Sequence, residues 1–225
     1  MSPASRRGPQ SDVSPRRSLS RDVIISAALA ILDSDGLSSL SMRRLGAVLG
    51  VDPMSVYYYL PNKAALFDGV VDAILAELDR ELSQLEPHAE TTERLAAVMR
   101  TYRQVLKRHP HALPVISTRP VRSPHALAAF ERILSTFMDA GLDLRGAVIA
   151  MTTAVEFTIG HVLAEAAEPY GGETPYSAEA LEGLESVIPV VFHAWQVEVG
   201  SDELFEAGLI ALLEGLQRRY LPATG

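Results

Sequence analysis

Apolar residues recur at spacings of three and four along nearly the whole chain from residue 19 onward. Such a period is typical of amphipathic α-helices, each with one side turned toward a core. The strict alternation of apolar and polar residues that is typical of half-buried β-strands is almost absent. The pattern therefore predicts an all-α fold.

Capping residues and helix breakers divide this pattern into elements. Ser20, Ser41 and Asn62 can cap the first, second and fourth helices. The predicted helices span residues 20–36, 41–49, 53–60, 62–82, 92–108, 123–140, 143–166, 178–199 and 201–220, with a short helical turn before residue 116. Breaks are expected at 87–91, 109–110 and 168–177. Because the middle of the 143–166 helix is almost uncharged, we expect its burial on more than one side.

The first 18 residues differ in composition from the rest of the chain. They are rich in Ser, Pro and Arg and contain almost no apolar residue. Such a segment cannot offset the entropy of ordering, so residues 1–18 are predicted to form a flexible tail. The four arginines of this tail either touch nucleic acid or only keep the chain soluble.

Composition narrows the class of protein. The chain has 225 residues, 48% of them hydrophobic, and no cysteine, which excludes disulfides, thiolate nucleophiles and cysteine-ligated zinc. We expect no cofactor and no bound metal. The longest weakly charged stretch, Gly146 to Val155, is half the roughly 20 residues of a membrane span, and the N-terminus lacks an apolar signal segment. A cytoplasmic protein with no membrane contact is predicted.

The charge is divided unevenly along the chain. The net charge is −8, yet residues 1–63 carry eight basic and five acidic side chains, a net charge of +3, whereas the remainder carries −11. A mildly basic head on an acidic body suits a protein that presents one end to phosphates. Chance asymmetry is the alternative.

Residues 40–60 have the pattern of a helix-turn-helix. Two short helices that cross steeply need a glycine-bearing turn, and Gly50 stands between them. The facing apolar residues are Leu45, Leu49, Val51 and Val56. The second helix of this motif, which is the third helix of the chain, turns Met54, Ser55, Tyr58 and Tyr59 outward, with Tyr57 toward the side. These groups can reach base edges and phosphates, unless the three tyrosines are only half-buried packing residues.

Two further positions suit phosphate groups of DNA. Free N–H groups near Met42 and Arg43 open the second helix, where the helix dipole favours an anion and Arg43 adds a full charge. Lys63 can act in the same way from the fourth helix. The alternative is that these charged residues form a solvated face.

The sequence resembles the TetR family of regulators. The head carries the resemblance in Leu19-Ser20-Arg21, Ala27-Ala28-Leu29, Gly36-Leu37, Leu45-Gly46, Leu49-Gly50-Val51, Val56-Tyr57 and Asn62-Lys63-Ala64-Ala65-Leu66. The body carries it in Thr118-Arg119-Pro120, Gly141-Leu142, Phe157-Thr158-Ile159-Gly160 and the run from Leu209 to Leu216. The resemblance implies a helix-turn-helix DNA-binding head at residues 19–65 and a helical body at 66–225 for dimerisation and effector binding.

This resemblance also implies roles for single residues. The implied DNA-contacting residues are Met42, Arg43, Pro53, Met54, Ser55, Tyr57, Tyr58, Tyr59 and Lys63. The family's regulators are homodimers that join their last two long helices in a four-helix bundle. The corresponding seam here is Phe205, Leu209, Leu212 and Leu216, although this stripe could instead face only its own domain. A two-fold dimer binds a palindromic operator, and an effector releases it.

The resemblance to tetracycline repressors fails where those proteins hold the drug and its magnesium. Asp79, Ala97, Thr101 and Val115 stand where the family has His, Asn, Phe and His, and Ala164 replaces the acidic residue that assists the metal. A different small-molecule effector is therefore implied. Candidate contact residues are Thr101, Tyr102, Val115, Arg119, Phe157 and His161, of which Arg119 could pair with an acidic effector. Each could equally be structural.

Enzymatic activity and architectural DNA binding are the two alternatives to regulation. A small helical enzyme could use His109 and His111, but Pro110 separates them in a predicted helix break and no carboxylate motif accompanies them. We therefore expect no enzymatic activity. An architectural DNA-binding protein without sequence preference would be far more basic than a chain of pI 5.3.

Overall fold

The computed structural model of the protein describes residues 19–86, 90–121, 123–167, 187–194 and 197–221. The helices are α1 (Arg21–Asp35), α2 (Met42–Leu49), α3 (Pro53–Tyr59), α4 (Lys63–Leu82), α5 (Thr91–Arg108), α6 (Leu113–Ile116), α7 (Pro124–Asp139), α8 (Leu144–Ala166), α9 (Pro189–Ala194) and α10 (Ser201–Tyr220). Short 3₁₀ turns lie at Leu37–Ser39 and Pro110–Ala112. No strand occurs among these described residues, so the all-α prediction is confirmed. The predicted tail at 1–18 and loop at 168–177 lie outside the described residues.

Side-chain caps set the first helix boundaries. Ser20, Ser41 and Asn62 each accept a hydrogen bond from the backbone N–H three residues further on, at 3.3, 3.2 and 2.9 Å. These bonds satisfy donors that the first turn of a helix leaves free. The helices consequently begin one residue after each predicted cap.

The predicted helix over 178–199 is too long. Its described part, α9, ends at Ala194, and Val197 to Val199 are not helical. The backbone of Gly200 is already extended, because this residue precedes the first turn of α10. Val197 and Val199 are exposed, and β-branched side chains favour extended backbone over helix. The first part of the predicted helix, 178–186, lies outside the described residues.

Within a single chain, helix α8 is buried along one side only, so contacts of this chain alone do not give the predicted burial on more than one side. The buried stripe is Gly146, Ala147, Ala150, Ala154, Thr158 and Val162. The neighbours α5, α7 and α10 all cover this small-residue face, which allows close helix contact. On the other side, Val148 is 42% and Leu163 is 52% exposed. A single chain therefore leaves an apolar face of α8 uncovered.

By length and composition alone, α8 could also cross a membrane. The sequence estimate that stopped at Val155 was too short, because a span tolerates the few charges of this helix. Core helices of globular proteins pass the same test. In the described chain, α8 packs against α5, α7 and α10 along one face, as helices of a bundle do.

An ion-pair cluster fastens α5, α8 and α10 together. Arg103 donates to both carboxylate oxygens of Glu165, at 3.1 and 2.6 Å, and also pairs with Asp202 at 2.7 Å. Lys107 lies 3.1 Å from the same Glu165 carboxylate. Burial raises the pKa of Glu165, but hydrogen bonds from Arg103, Ser201 and Lys107 outweigh it and lower the pKa to about 2.

This cluster predicts a defined acid sensitivity. The folded pKa of Glu165 lies below its unfolded value, so the carboxylate stabilises the fold above about pH 4.5 and loses that effect as the pH falls through about 2. We expect Glu165→Gln to remove about 1–3 kcal/mol of the decline in unfolding free energy between pH 5 and pH 2. Urea unfolding across this range measures it. Glu156→Gln, on the exposed side of α8, is the control, and a Glu165→Gln curve parallel to that of the native protein would refute the prediction.

Candidate nucleic-acid interface and effector site

The helix-turn-helix of α2 and α3 depends on two glycines. Gly50 has φ 66° and ψ 32°, a left-handed conformation that costs other residues energy, and it ends α2. At Gly46, an added Cβ would lie 2.9 Å from the carbonyl oxygen of Val51 and 3.2 Å from the nitrogen of Pro53. The backbone after the turn therefore passes directly over Gly46. Sequence reasoning found the turn glycine and missed this close approach.

Helix α3 divides into a buried and an exposed side. Val56 and the following Leu60 have 0% and 1% exposure and anchor the helix in the head. On the outer side, Met54 is 72% and Tyr58 is 85% exposed, and the Tyr58 ring touches the Tyr59 ring edge-on at 5.2 Å. The other outward residues, Tyr57 and Tyr59, are also exposed, while Pro53 and Ser55 are half-buried. The predicted assignment of Val56 to the core is confirmed.

The N-terminal end of α2 borders an open surface depression of about 750 Å³. Three serines and two arginines contribute to its lining, which consists of Ser38, Ser39, Ser41, Arg43, Arg44, Ala47 and Val48. Arg44 pairs with Asp35, whereas Arg43 is exposed and has no ion-pair partner within the described chain. Hydroxyl groups, a free guanidinium and a helix N-terminus together suit a phosphate.

Two of the predicted DNA contacts, Met42 and Lys63, differ in exposure. Met42 is only 7% exposed, so its side chain belongs to the core of the head and only its backbone N–H remains at the helix end. A DNA contact by Met42 is therefore limited to its backbone N–H, one of the groups that the sequence predicts for a phosphate. Lys63 is exposed, with its Nζ 5.2 Å from the centre of the Phe67 ring, which steadies the ammonium group.

A buried histidine connects the head to the body. His109 is 7% exposed, and its Nδ1 lies 2.9 Å from a carboxylate oxygen of Asp33 at the end of α1. Its Nε2 lies 3.3 Å from a carboxylate oxygen of Glu77 in α4. His111 also contacts α1, through a ring nitrogen 3.1 Å from the carbonyl oxygen of Leu32. Both histidines therefore hold the segment after α5 against α1, and His109 also holds it against α4.

The predicted effector residues fall into separate groups. Thr101, Tyr102 and Val115 are all buried, at 7%, 3% and 4% exposure. The Thr101 hydroxyl donates to the carbonyl oxygen of Ala97 in its own helix, at 2.9 Å. Burial raises the pKa of Tyr102 above its ordinary value, so its hydroxyl stays neutral.

Arg119 is occupied by a carboxylate of its own chain. Its Nε and Nη2 donate to one oxygen of Asp68, at 2.8 and 2.5 Å, and Nη2 also donates to the carbonyl oxygen of Ala64 at 3.1 Å. An acidic effector at Arg119 would therefore have to displace the Asp68 carboxylate, which α4 already supplies. The contact instead ties the segment after α6 to the first half of α4.

Phe157 and His161 lie against α10. The Phe157 ring stacks on the Phe205 ring at 5.7 Å, and His161 Nε2 lies 3.1 Å from the carbonyl oxygen of Ser201. An added Cβ at Gly208 would lie 2.8 Å from the Phe157 ring, so α8 and α10 approach closely there. Contacts within the chain account for both side chains.

The predicted dimer seam on α10 is half wrong. Phe205 and Leu209 are 0% exposed and pack inside their own chain, so they cannot contact a partner. For these two, the alternative that the stripe faces its own domain applies, because α5 and α8 cover this side of α10. Leu212 and Leu216 are half-buried and remain predicted seam residues. Leu204, one position from the stripe, is 54% exposed.

A helix-turn-helix with an exposed second helix, carried by a separate helical bundle, defines a DNA-binding transcriptional regulator. Family models agree with this class. Residues 24–70 match the bacterial regulatory proteins of the tetR family, and residues 86–220 match the tetracyclin repressor-like C-terminal domain. The chain therefore belongs to the TetR family.

The similarity to known proteins extends over most of the chain. It is 30% identical over 202 residues to an HTH-type transcriptional regulator of Saccharopolyspora erythraea, covering 88% of this chain and 84% of that protein. It is 32% identical over 207 residues to the Escherichia coli tetracycline repressor protein class A from transposon 1721, covering 90% and 93%. The crystal structure of Streptomyces coelicolor ActR in complex with actinorhodin has a TM-score of 0.75 and 25% identity, covering 90% and 99%.

Proposed function

We propose that this regulator is a repressor that binds a palindromic operator as a homodimer and leaves it when a small molecule enters the body. The observation that carries the proposal is the outer face of α3, where large side chains stand exposed although a fold of this size could bury them. Residues 19–65 form the DNA-binding domain and residues 66–225 the effector-binding and dimerisation domain. The protein acts in the cytoplasm.

The DNA contacts divide by chemistry. Arg43, Lys63 and the backbone N–H of Met42 hold phosphates and set the position of the head. The major groove receives α3, whose contact residues are Pro53, Met54, Ser55, Tyr57, Tyr58 and Tyr59. Tyrosine hydroxyls and the methionine side chain can read base edges and thymine methyl groups.

Dimerisation uses the uncovered sides of α8 and α10. On α8, the exposed Val148 and Leu163 and the half-buried Val155 and Ile159 form an apolar stripe beside the buried one. On α10, Leu204 is exposed beside the half-buried Leu212 and Leu216. Two copies related by a two-fold axis can cover both stripes at once and place their α3 helices about 34–36 Å apart, one turn of DNA.

Leu163→Glu is expected to dissociate the dimer. A charge at the centre of an apolar interface costs several kcal/mol, so the variant becomes monomeric at micromolar concentration and loses most of its operator affinity. Sedimentation equilibrium measures the mass. Leu127→Glu on α7 is the control, because Leu127 is 49% exposed and Leu163 is 52% exposed. A dimeric Leu163→Glu protein, or equal dissociation of the control, would refute this interface.

Helix α4 couples the body to the head. It runs unbroken from Lys63 to Leu82, and two side chains fasten it to the segment that joins α5 to α7: Arg119 through Asp68 and His109 through Glu77. An effector that shifts this segment therefore tilts α4 and changes the spacing of the two heads. The complex of the similar ActR with actinorhodin supports a small-molecule effector for this chain as well.

Selection of random duplex DNA on the purified protein tests this proposal. We expect enrichment of a palindrome whose half-site centres lie about 10 base pairs apart. An enriched direct repeat or a single half-site would refute the two-fold dimer. Absence of any enriched sequence would refute the sequence-specific regulator and favour architectural binding.

A further inference from the structure

A small cleft lies in the body where the end of α4 meets α5 and α7. Its volume is about 150 Å³, and its lining is Leu82, Leu85, Glu86, Arg94, Ala97, Val98, Arg132 and Thr136. One side is apolar, and two arginines stand among the lining residues. None of the six predicted effector residues belongs to this lining.

Arg94 has a donor that the described chain leaves unused. Its Nε is shielded from solvent and has no hydrogen-bond acceptor among the described residues. Its Nη2 reaches the carbonyl oxygen of Asp139 only at 3.4 Å, beyond the usual 2.7–3.2 Å range. A buried donor without an acceptor is costly and rare in folded proteins, so such a group in a cleft points to a ligand.

The charges around the cleft favour an anion at Arg94. Arg132 donates through Nε to Asp79 at 3.0 Å, so that carboxylate is already paired. Glu86 is the one acidic residue of the described lining, and it is exposed to solvent, as is Glu90, which attracts Arg94 electrostatically. Among the lining residues, Arg94 is therefore the one with a shielded N–H that lacks an acceptor in the described chain. A guanidinium group matches a carboxylate in shape and charge, so a carboxylate is the expected ligand group.

We propose that this cleft binds a small monocarboxylate, with the carboxylate on Arg94 and a single ring or short acyl chain against Leu82, Leu85 and Val98. The size supports this class: a cavity of about 150 Å³ holds a benzene-sized group, and drug-sized ligands need about 300 Å³ or more. The claim that this ligand is the signal that releases DNA rests on the proposed function. The claim that the ligand binds in the cleft does not.

Calorimetry on the full-length protein tests the site with benzoate, phenylacetate and hexanoate as probes, each beside its neutral amide. We expect saturable binding of at least one acid, one per chain, at least about tenfold tighter than the amide. Arg94→Gln is expected to weaken that acid at least about tenfold. Arg145→Gln, at an exposed arginine of α8, is the control and is expected to bind as the native protein does.

The unfolding temperature provides a second test, which distinguishes a ligand-binding arginine from a structural one. Because an unpaired buried donor is costly, Arg94→Met is expected to keep or raise the unfolding temperature while abolishing binding of the acid. A large loss of stability would instead assign Arg94 to the fold and overturn the site. So would failure of all three acids to bind, equal affinity for the amides, or native affinity in Arg94→Gln.

Operator binding separates the two proposals. If benzoate or another probe binds the native protein and lowers its affinity for the selected operator, both stand. If the acid binds but operator affinity is unchanged, the carboxylate site stands and its role as effector fails. If operator binding is normal and no acid binds, the repressor stands and the carboxylate site fails.

Discussion

Tyr58→Ala is expected to weaken operator binding by roughly 10- to 100-fold, because a good base contact contributes about 1–3 kcal/mol. Tyr58 is the most exposed aromatic side chain on α3, at 85%, and its ring touches only the neighbouring Tyr59 ring among the described aromatic groups. The substitution therefore removes a DNA contact and little packing. Fluorescence anisotropy with the selected operator, at one fixed salt concentration, measures the change.

Two further variants make this result specific. Tyr58→Phe keeps the ring and loses the hydroxyl, so an intermediate affinity would divide the effect between stacking or methyl contacts and hydrogen bonding. Leu127→Ala removes an exposed apolar side chain from α7 and is expected to bind DNA normally. Native affinity in Tyr58→Ala would remove the outer face of α3 from the interface. A lowered unfolding temperature would assign Tyr58 to the fold instead.

Gly46→Ala is expected to abolish specific DNA binding while leaving the body intact. The new Cβ would meet backbone atoms of Val51 and Pro53, which cannot rotate away as a side chain can. Overpacking of this kind lowers the free energy of unfolding by about 1–3 kcal/mol, and it moves α3 away from its contact with α2. We expect the operator affinity to fall to the level of scrambled DNA.

The matched control is Gly200→Ala. Gly200 precedes α10 with φ −68°, and an added Cβ there meets nothing within 4 Å. This variant is expected to fold and bind as the native protein does. In Gly46→Ala, sedimentation is expected to show a dimer, and whichever carboxylate probe binds the native protein is expected to bind this variant as well. Unchanged operator affinity in Gly46→Ala would mean that α2 and α3 can separate without loss of function.

The sequence predicted most helix boundaries because local hydrogen bonds decide them. Ser20, Ser41 and Asn62 cap the helices that follow, and Gly50 adopts the left-handed conformation that ends α2. Each of these effects involves residues within four positions of each other. The predicted helix end at residue 199 was wrong because the sequence has no Gly or Pro between Pro189 and Gly200 that would mark an earlier end.

The site was less predictable because its chemistry depends on partners distant in sequence. The sequence did not show that Arg119 pairs with Asp68, which lies 51 positions earlier. Met42 has the right position for a DNA contact, but α2 turns it inward. Arg94 gave no signal in the sequence, because only the folded chain shows that its Nε lacks an acceptor.

The central claim is that this protein recognises a DNA sequence, and competition between the selected operator and a scrambled duplex of equal length tests it most directly. At one fixed salt concentration, a specific regulator is expected to prefer its operator by at least about 1000-fold. The same titration at two higher salt concentrations separates phosphate contacts from base contacts, because both affinities fall together while the ratio persists. Equal affinity for the two duplexes would contradict the account.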